Sequence, residues 1–468
     1  LEDSNLIESL KQLLPESQIV TDTNLRHKYG QDHTEDFVFP PDVVVIPRSV
    51  DEVSAICSFC NDRKISLTVR GAGTGLSGAS LPIKGGVLMS MERFNQILEI
   101  DTANMQATVE PGVINDQFRT EVEAKGLFYP PDPASKGSCF LGGNIAHNSG
   151  GPKAVKYGVT KDYVLNLQVV LADGSVMWTG SDTLKNSTGY NLTQLFLGSE
   201  GTLGIVTKIV FRLIAKPKHD LLLWVNARKA TTACEAVSAI MRSGVVPSGM
   251  ELMERKGIEL ASEHLSISNP LSVTAEAALM IEVDGNDLDQ LMTDCETIAD
   301  LLSQFGLEDV LFADTADQKE HWWKIRRSIG EVVKLHSVYK EEDTVVKRSH
   351  LADLMAGVKE IGKRYGFESV CYGHAGDGNL HVNILKGDMS DAAWNGSQLE
   401  TGIREIFKLC VKYGGTISGE HGIGYVQKKY MNEVMSDRQI QLMHDVKRAF
   451  DPNGILNPGK IFDKLRGE

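Results

Sequence analysis

Hydrophobic and polar positions change rhythm along the chain, and each change predicts a different kind of element. Residues 1–40 are polar and partly helical in pattern. Val43-Val44-Val45-Ile46 then stands between Pro41 and Pro47, an apolar run bounded by breakers that reads as a short buried strand. From Ser49 to Asn61 the spacing turns helical. Val53, Ile56, Cys57 and Cys60 share one face, and Ser49 with Glu52 fits a capping box. The strand Ser66–Arg70 follows, and further strand patterns cover 86–91, 97–101, 106–110, 165–171, 175–178 and 204–213. Repeated β-α-β followed by strands with short helices predicts an α+β domain ending near residue 215.

Beyond residue 219 the alternation becomes α/β. Strand 221–225 precedes helix 231–242, and strand 275–283 precedes the amphipathic helix 288–305. A long helix is expected from Leu311 to about Leu335, then another over Leu351–Tyr365. This predicts a second domain, a sheet with helices on one face. A last helix over Asp437–Phe450 leads into Asp451-Pro452-Asn453-Gly454-Ile455-Leu456-Asn457-Pro458-Gly459-Lys460, a chain of turn signals.

Composition narrows the classes. A length of 468 residues suggests about three domains at roughly 150 residues each. The net charge of −14 argues against a nucleic-acid binder but leaves room for a locally basic pocket. No apolar run approaches the ~18 residues of a membrane span. Leu1-Glu2-Asp3-Ser4 lacks a start methionine and a signal-peptide pattern, so the chain is expected to begin after a removed segment. Seven scattered cysteines suggest free thiols in a reducing compartment, and the lone Cys57-x-x-Cys60 reads as helix core. Asn186, Asn191 and Asn395 match the glycosylation pattern by chance, given no secretory signal.

Glycine is the informative residue. Of 44 glycines, 20 fall in 71–204 and 11 in 373–424, while 205–372 holds 9. Clustered glycine marks backbone that approaches something closely. Gly71-Ala72-Gly73-Thr74-Gly75-Leu76-Ser77-Gly78 leaves a strand and can aim several N–H groups at one anion, a flavin or nucleotide pyrophosphate being the natural guest. It contains a GxGxxG (Gly73, Gly75, Gly78), but Pro82, Gly85 and Gly86 break the helix that a usual dinucleotide fold would open here. Two more polar, glycine-dense loops follow, at 131–151 and 198–207. Three such loops in one domain can wrap a large flat ligand, with Ser138, Asn144 and Asn148 offering hydrogen bonds.

Together these three segments resemble the FAD-binding oxidoreductases of the vanillyl-alcohol-oxidase (PCMH) type, over nearly the whole chain. The resemblance implies a PCMH-type FAD-binding domain at 1–215. A substrate (cap) domain at 216–424 would carry a metal site, and a C-terminal segment, 425–468, would pack back on the FAD domain. By that likeness the first loop cradles the pyrophosphate through Arg70, Gly71, Ala72, Gly73, Thr74, Gly75 and Leu76. The second loop would contribute Pro131, Asp132, Gly137, Ser138, Gly142, Gly143, Asn144, Ala146, Asn148 and Gly151. The third would contribute Glu200, Gly201, Gly204 and Ile205. Members that bind FAD covalently carry histidine where this chain has Thr74, which implies non-covalent FAD.

The second glycine cluster contains His374-Ala375-Gly376-Asp377-Gly378-Asn379-Leu380-His381-Val382-Asn383, two strand-like stretches around a tight turn. Chain reversal can bring His374 and His381 together. Thr416-Ile417-Ser418-Gly419-Glu420-His421-Gly422-Ile423-Gly424 reads as a strand entering another glycine turn. Two imidazoles and a carboxylate suit a catalytic divalent metal such as zinc. HxGDGNxHxN with SGEHGxG resembles the D-2-hydroxyacid dehydrogenase branch: glycolate oxidase flavin subunits, D-lactate dehydrogenases and D-2-hydroxyglutarate dehydrogenases. That resemblance implies metal ligands His374, His381 and Glu420, His421 as general base, and Asn383 against the substrate. It implies an arginine for the substrate carboxylate in Trp322-Trp323-Lys324-Ile325-Arg326-Arg327, assigned to Arg326 with Arg327 as the register alternative. A substrate lysine falls at Lys340.

The expected activity is FAD-dependent oxidation of a small D-2-hydroxy acid to the 2-oxo acid. The alternatives are a flavin-dependent transferase like alkyl-glycerone-phosphate synthase, a metal-dependent hydrolase, and a non-catalytic flavin module. There is no Fe–S cysteine pattern, so the expected electron acceptor is a quinone, an electron-transfer flavoprotein or a partner subunit. A homodimer follows from the frequency of twofold assemblies. The expected location is cytoplasmic, with any membrane association through the acceptor, or the mitochondrial matrix in a eukaryote.

Overall fold

Three short apolar runs form the centre of the first sheet. In the computed structural model, which describes residues 3–34, 37–307 and 309–462, Val43–Val45 and Leu67–Arg70 both pair in parallel with Val87–Ser90. Ile19–Val20 adds an antiparallel edge to Val43–Val45. Leu1 and Glu2 lie outside the described residues. The helix Val50–Arg63 buries Val53, Ile56, Cys57 and Cys60 completely, as its spacing predicts. Only half of the expected capping box forms. Ser49 accepts from the Glu52 N–H, while the Glu52 carboxylate accepts from Arg48 N–H and Gln18 instead. Burial pushes the Cys57 and Cys60 thiols upward, as suits core residues.

The chain divides into two compact units. One comprises the residues up to Gly150, then Val159–Lys216, and those from Glu420 onward; the other comprises Gly151–Gly158 and Pro217–Gly419. In the first unit, a five-stranded antiparallel sheet accompanies the parallel one. Its order is Ile97–Asp101, Gln106–Val109, Ile205–Arg212, Val164–Val170, Val176–Trp178. The C-terminal turn residues extend the parallel sheet. Leu67 N–H donates to Ile455, and Asn457 N–H returns a bond to Leu67. Ile455 and Leu456 join the core formed by Leu67, Val87 and Ile56. The described part of the C-terminal segment thus packs back on this unit through Ile455, Leu456 and Asn457; residues 463–468 of the expected segment lie outside the described residues.

The second unit is built on a seven-stranded antiparallel sheet. Its order is Val310–Phe312, His219–Ala227, Ala277–Gly285, Gly249–Glu254, Glu368–His374, Asn379–Leu385, Tyr339–Val345. Helices cover both faces, not one. Ile258 from helix Arg255–Leu265 and Ile325 and Ile329 from helix Ala316–His336 pack with Trp224, Met253 and Tyr372 on one face. Helices Ala230–Arg242, Leu288–Ser303 and Leu351–Tyr365 cover the other. Leu311 belongs to an edge strand paired with the strand containing Trp224, so the long helix starts later than its apolar pattern suggested. Thr315 sets that start by accepting from the Gln318 N–H. The stretch before Glu420 is not a strand; only Thr416 forms a bridge, to Val345. Among the described residues no helix is long and apolar enough to cross a membrane.

Asn457 ties three segments of the first unit together. Its Oδ1 accepts from Val69 N–H, and its Nδ2 donates to the Glu200 carbonyl at 2.6 Å and to Ala79. Replacing it by alanine leaves buried backbone groups unpaired, each costing about 1–3 kcal/mol. Asn457→Ala should therefore lower the midpoint of guanidinium unfolding followed by circular dichroism. An unchanged midpoint would mean that water replaces all three bonds.

Candidate functional site

In the first unit the three glycine-rich loops converge. Gly198 N–H donates to Ile145 and Glu200 N–H to Ala146, which joins the third loop to the second. A Cβ at Gly71 would lie 3.8 Å from Gly143 N, and one at Gly75 would lie 3.5 Å from His147 Nε2, so the first loop faces the second. Part of the second loop, Leu141–His147, is a short helix that its glycines concealed. Among the described residues, the N–H groups of Gly71–Leu76 and of Gly143 donate to no protein acceptor. A Cβ at Gly137 or Gly143 would enter open space. Unspent donors and room beside them fit a bound anion with an attached flat group.

Several of the expected cofactor residues turn out to hold the loops themselves. Arg70 directs Nη1 to the carbonyls of Tyr29 and Gln31, at 3.2 and 2.6 Å, and braces the first loop from behind. Pro131 accepts from the Asn115 side chain, and Asp132 lies 3.8 Å from Arg119. Asn144 is buried in a network with Asn115, Cys139 and Ser149. Asn148 accepts from Lys161 N–H, and Ser138 donates to Ser135. Gly201 packs against Asn457, Gly204 against Phe196, and Ile205 opens a sheet strand. Gly151 belongs to the other compact unit.

The Glu420-His421 turn also belongs to the first unit. Glu200 clamps it: Oε1 accepts from Ile423 N–H and Oε2 from Gly424 N–H, both at 2.8 Å. Burial pushes the Glu200 carboxyl up to about 7, against the pull of those two N–H groups and Lys460. Gly422, at φ 83°, has Glu200 Oε1 and His147 Nδ1 where a Cβ would stand, so only glycine fits. His147 lies beside His421; burial first, and then the His421 charge, bring its pKa down to about 4.

In the second unit, strand periodicity gathers polar side chains on one sheet face. Successive residues of a strand point to opposite faces. The registers Met253↔Tyr372, Tyr372↔His381, Glu341↔Asn383 and Asp343↔His381 therefore put Glu251, Tyr372, His374, His381, Asn383, Glu341 and Asp343 on a common face. The expected hairpin forms, and the His374 and His381 rings stand 5.4 Å apart between centroids. Glu251 lies at 2.8 Å from His374 Nδ1 and 2.6 Å from Arg326 Nη2. Burial would raise the Glu251 carboxyl, yet the His374 and Arg326 charges hold it below the usual range. His381 Nδ1 is 3.8 Å from Asp343 and 3.9 Å from Glu341. The Glu251 carboxylate at Nδ1 orients the His374 imidazole and leaves Nε2 for a metal, so His374 fits a metal-ligand role; the carboxylates beside His381 stand beyond hydrogen-bond reach and supply negative charge only.

Arg326 is the buried arginine of its pair, stacked at 4.9 Å over the Tyr372 ring, while Arg327 lies over Trp323. Among the described residues, Arg326 Nε and both amide atoms of Asn383 make no hydrogen bond. These are buried donors and an acceptor suited to a small polar ligand. Lys340 does not join them. Its register partner is Ile384, so it points to the opposite face, where its ammonium lies over Trp394. Sequence reasoning missed Glu251, Asp343 and Tyr372. Glu251 interrupts an apolar strand at Met250-Glu251-Leu252, and that interruption was the available signal.

Comparison with known proteins identifies the family. A family model described as "FAD linked oxidases, C-terminal domain" matches residues 216–461, and an "FAD binding domain" model matches residues 41–180. The glycolate oxidase subunit GlcD of Bacillus subtilis (strain 168) is 38% identical, over 93% of this chain and 92% of that protein. A D-lactate dehydrogenase of Anaerostipes hadrus is 35% identical, over 98% of each. A solved structure of p-cresol methylhydroxylase superposes with a TM-score of 0.81 at 17% identity, over 99% of this chain and 98% of that one, so the two share a fold.

His147 gives a pH test of the first unit. Its folded pKa of about 4 lies below the ordinary histidine value of about 6.5. The stability that depends on its neutral form is therefore complete above pH 6.5 and is lost as pH falls through 4. Chemical unfolding of His147→Gln between pH 7 and 4 should show a smaller loss of stability than the parent protein. Parallel pH profiles would refute the burial of a neutral imidazole.

Proposed function

The chain belongs to the FAD-linked oxidases, and on that premise we propose that it oxidises a small D-2-hydroxy acid to the 2-oxo acid. The observation that carries the reading is the buried polar sheet face, with Arg326, Asn383, His374 and His381 together and a histidine-glutamate turn, Glu420-His421, in the same chain. The named relatives act on glycolate and D-lactate, which supports the substrate class. FAD would be held without a covalent bond by the loops at 70–76, 131–151 and 198–205, Thr74 being no attachment residue.

FAD supplies acceptance of a hydride equivalent. A divalent ion, with zinc the best match to the ligand set, would be held by His374, His381 and Glu420 and would supply Lewis-acid polarisation of substrate oxygen. The residues of the chain do the rest. Arg326 keeps one nitrogen against Glu251 and offers Nε to the substrate carboxylate, which fixes the orientation of C2. The amide of Asn383 supplies a donor and an acceptor beside it. His421 takes the hydroxyl proton as C2 gives up its hydrogen with two electrons, so the C2–O bond becomes a carbonyl. Glu251 keeps the Arg326 plane and the His374 tautomer fixed. A quinone, an electron-transfer flavoprotein or a partner subunit would then take the electrons.

Anaerobic addition of an acid from the set glycolate, D-lactate and D-2-hydroxyglutarate should bleach the flavin absorption, and L-lactate and L-2-hydroxyglutarate should not. His421→Ala should keep the flavin bands and slow bleaching by about 10²–10⁴-fold. Purified protein that takes up no FAD, or that no hydroxy acid bleaches, would sink the reading.

Glu251→Gln tests the second-unit cluster separately. Loss of an orienting partner commonly costs about 10–100-fold in metal affinity or activity. The variant should retain flavin, lose bound metal on dialysis and show a raised KM for the acid. Unchanged metal content and kinetics would remove Glu251 as the residue that orients His374 and Arg326.

A further inference from the structure

We propose that Glu200 is a positioning residue for His421 rather than a contact to the cofactor. The inference rests on His421 being the proton acceptor, and it adds how that imidazole is held. Three observations within the first unit carry it. Both Glu200 carboxylate oxygens are occupied by the N–H groups of Ile423 and Gly424, the residues that follow the Glu420-His421 pair. The residue is 3% exposed, so its carboxylate is enclosed by the protein. It adopts the left-handed conformation at φ 52°, uncommon for a residue with a side chain.

That conformation is over-determined. Glu200 N–H donates to Ala146, its carbonyl accepts from Asn457 Nδ2, and the next residue is Gly201, also at positive φ. The backbone of Glu200 is thus fixed to the second loop and to the C-terminal segment. Its side chain then fixes the turn after His421. Lys460, whose Nζ donates to the carbonyls of Ala79 and Leu81, contributes a compensating positive charge. Gly422 permits the approach, since any Cβ there would collide with the carboxylate. On the other side His147 flanks the same turn. The imidazole of His421 is therefore carried on backbone whose position is set by one buried carboxylate. Glutamine at 200 would still accept one N–H bond but would point an NH2 group at the other, which loosens the turn without changing volume.

The test uses holoenzyme. Glu200→Gln should bind FAD in full amount with an unaltered visible spectrum. Anaerobic flavin reduction by the hydroxy acid should slow by about 10–100-fold, a magnitude like that for lost orienting partners. Reoxidation of photoreduced flavin by an artificial acceptor should stay at the parent rate. The decisive variant is Glu200→Gln in a His421→Ala background. If Glu200 acts through His421, the double variant reduces no more slowly than His421→Ala alone. A parent-like reduction rate in Glu200→Gln overturns the proposal, and so does additivity in the double variant. If Glu200→Gln loses FAD while each remaining flavin is reduced at the parent rate, Glu200 is a cofactor contact and the proposal is wrong. Should the glutamine variant not fold, Glu200→Asp, which keeps the charge but shortens the reach, must give the same split between retained flavin and slowed reduction. A His421→Ala variant that reduces flavin normally would refute the underlying assignment of His421 instead, which separates the two failures.

Discussion

A carboxylate with almost no solvent access must be compensated, and the second unit is arranged around one such group. Glu251 sits in the middle of a seven-stranded sheet, between Met250 and Leu252, and its neighbours on the same face would ordinarily be apolar. Leaving it uncompensated would cost several kcal/mol. The fold answers with two positive or polarisable groups, Arg326 and His374. Arg326 comes from the helix that covers this face, and His374 from the neighbouring strand. The rest follows from strand pairing. Once His374 faces Glu251, the hairpin register puts His381 and Asn383 on the same side, and the next strand adds Glu341 and Asp343. A polar face this extensive inside a sheet is expensive in stability, which is why it marks chemistry and not packing.

The first unit solves its problem with backbone instead of side chains. Among the described residues its loops keep the N–H groups of Gly71–Leu76 unspent, and the side chains Arg70, Asn144 and Asn457 are committed to bonds that tie the loops to neighbouring segments. This explains a division within the glycine-rich segments. The glycines supply close approach and donors; the polar residues between them supply rigidity. It also explains why the extreme C-terminal turn matters. Leu456 and Asn457 pair with the strand that feeds the first loop, so this turn is part of the loop's framework.

Much of this was legible in the sequence, and the limits have physical causes. The apolar runs at Val43–Val45 and Val87–Ser90 and the helical spacing at Val50–Arg63 were readable because burial on one face leaves a period. The hairpin at 374–381 was readable because Gly376 and Gly378 frame a tight reversal. The strands Gly249–Glu254 and Tyr339–Val345 were not, because their inward side carries Glu251, Glu341 and Asp343, and charge there erases the alternation that marks a strand. Lys340 illustrates the same limit. It is adjacent to Glu341, and in a strand that single step reverses the face. Roles inside the glycine loops were also hidden: sequence identifies Arg70 and Glu200 as members of the loops, but only their hydrogen bonds reveal that they brace backbone.

Glu200 and Glu251 are both buried carboxylates, yet their surroundings drive them in opposite directions. Glu251 is compensated by charges, which outweigh desolvation and hold it below its usual pKa. Glu200 is compensated chiefly by two amide N–H groups, and desolvation prevails, raising it to about 7. The difference matches what each must do. Glu251 faces Arg326, so a firmly ionised partner keeps that guanidinium in place and its local charge balanced. Glu200 faces backbone, where direction matters more than charge. A bidentate hold on adjacent N–H groups fixes the path of a turn without setting a strong field beside the imidazole it carries. The overall charge of −14 therefore says little about the site. The residues that matter are a few enclosed acids, each bound to two groups whose positions it fixes.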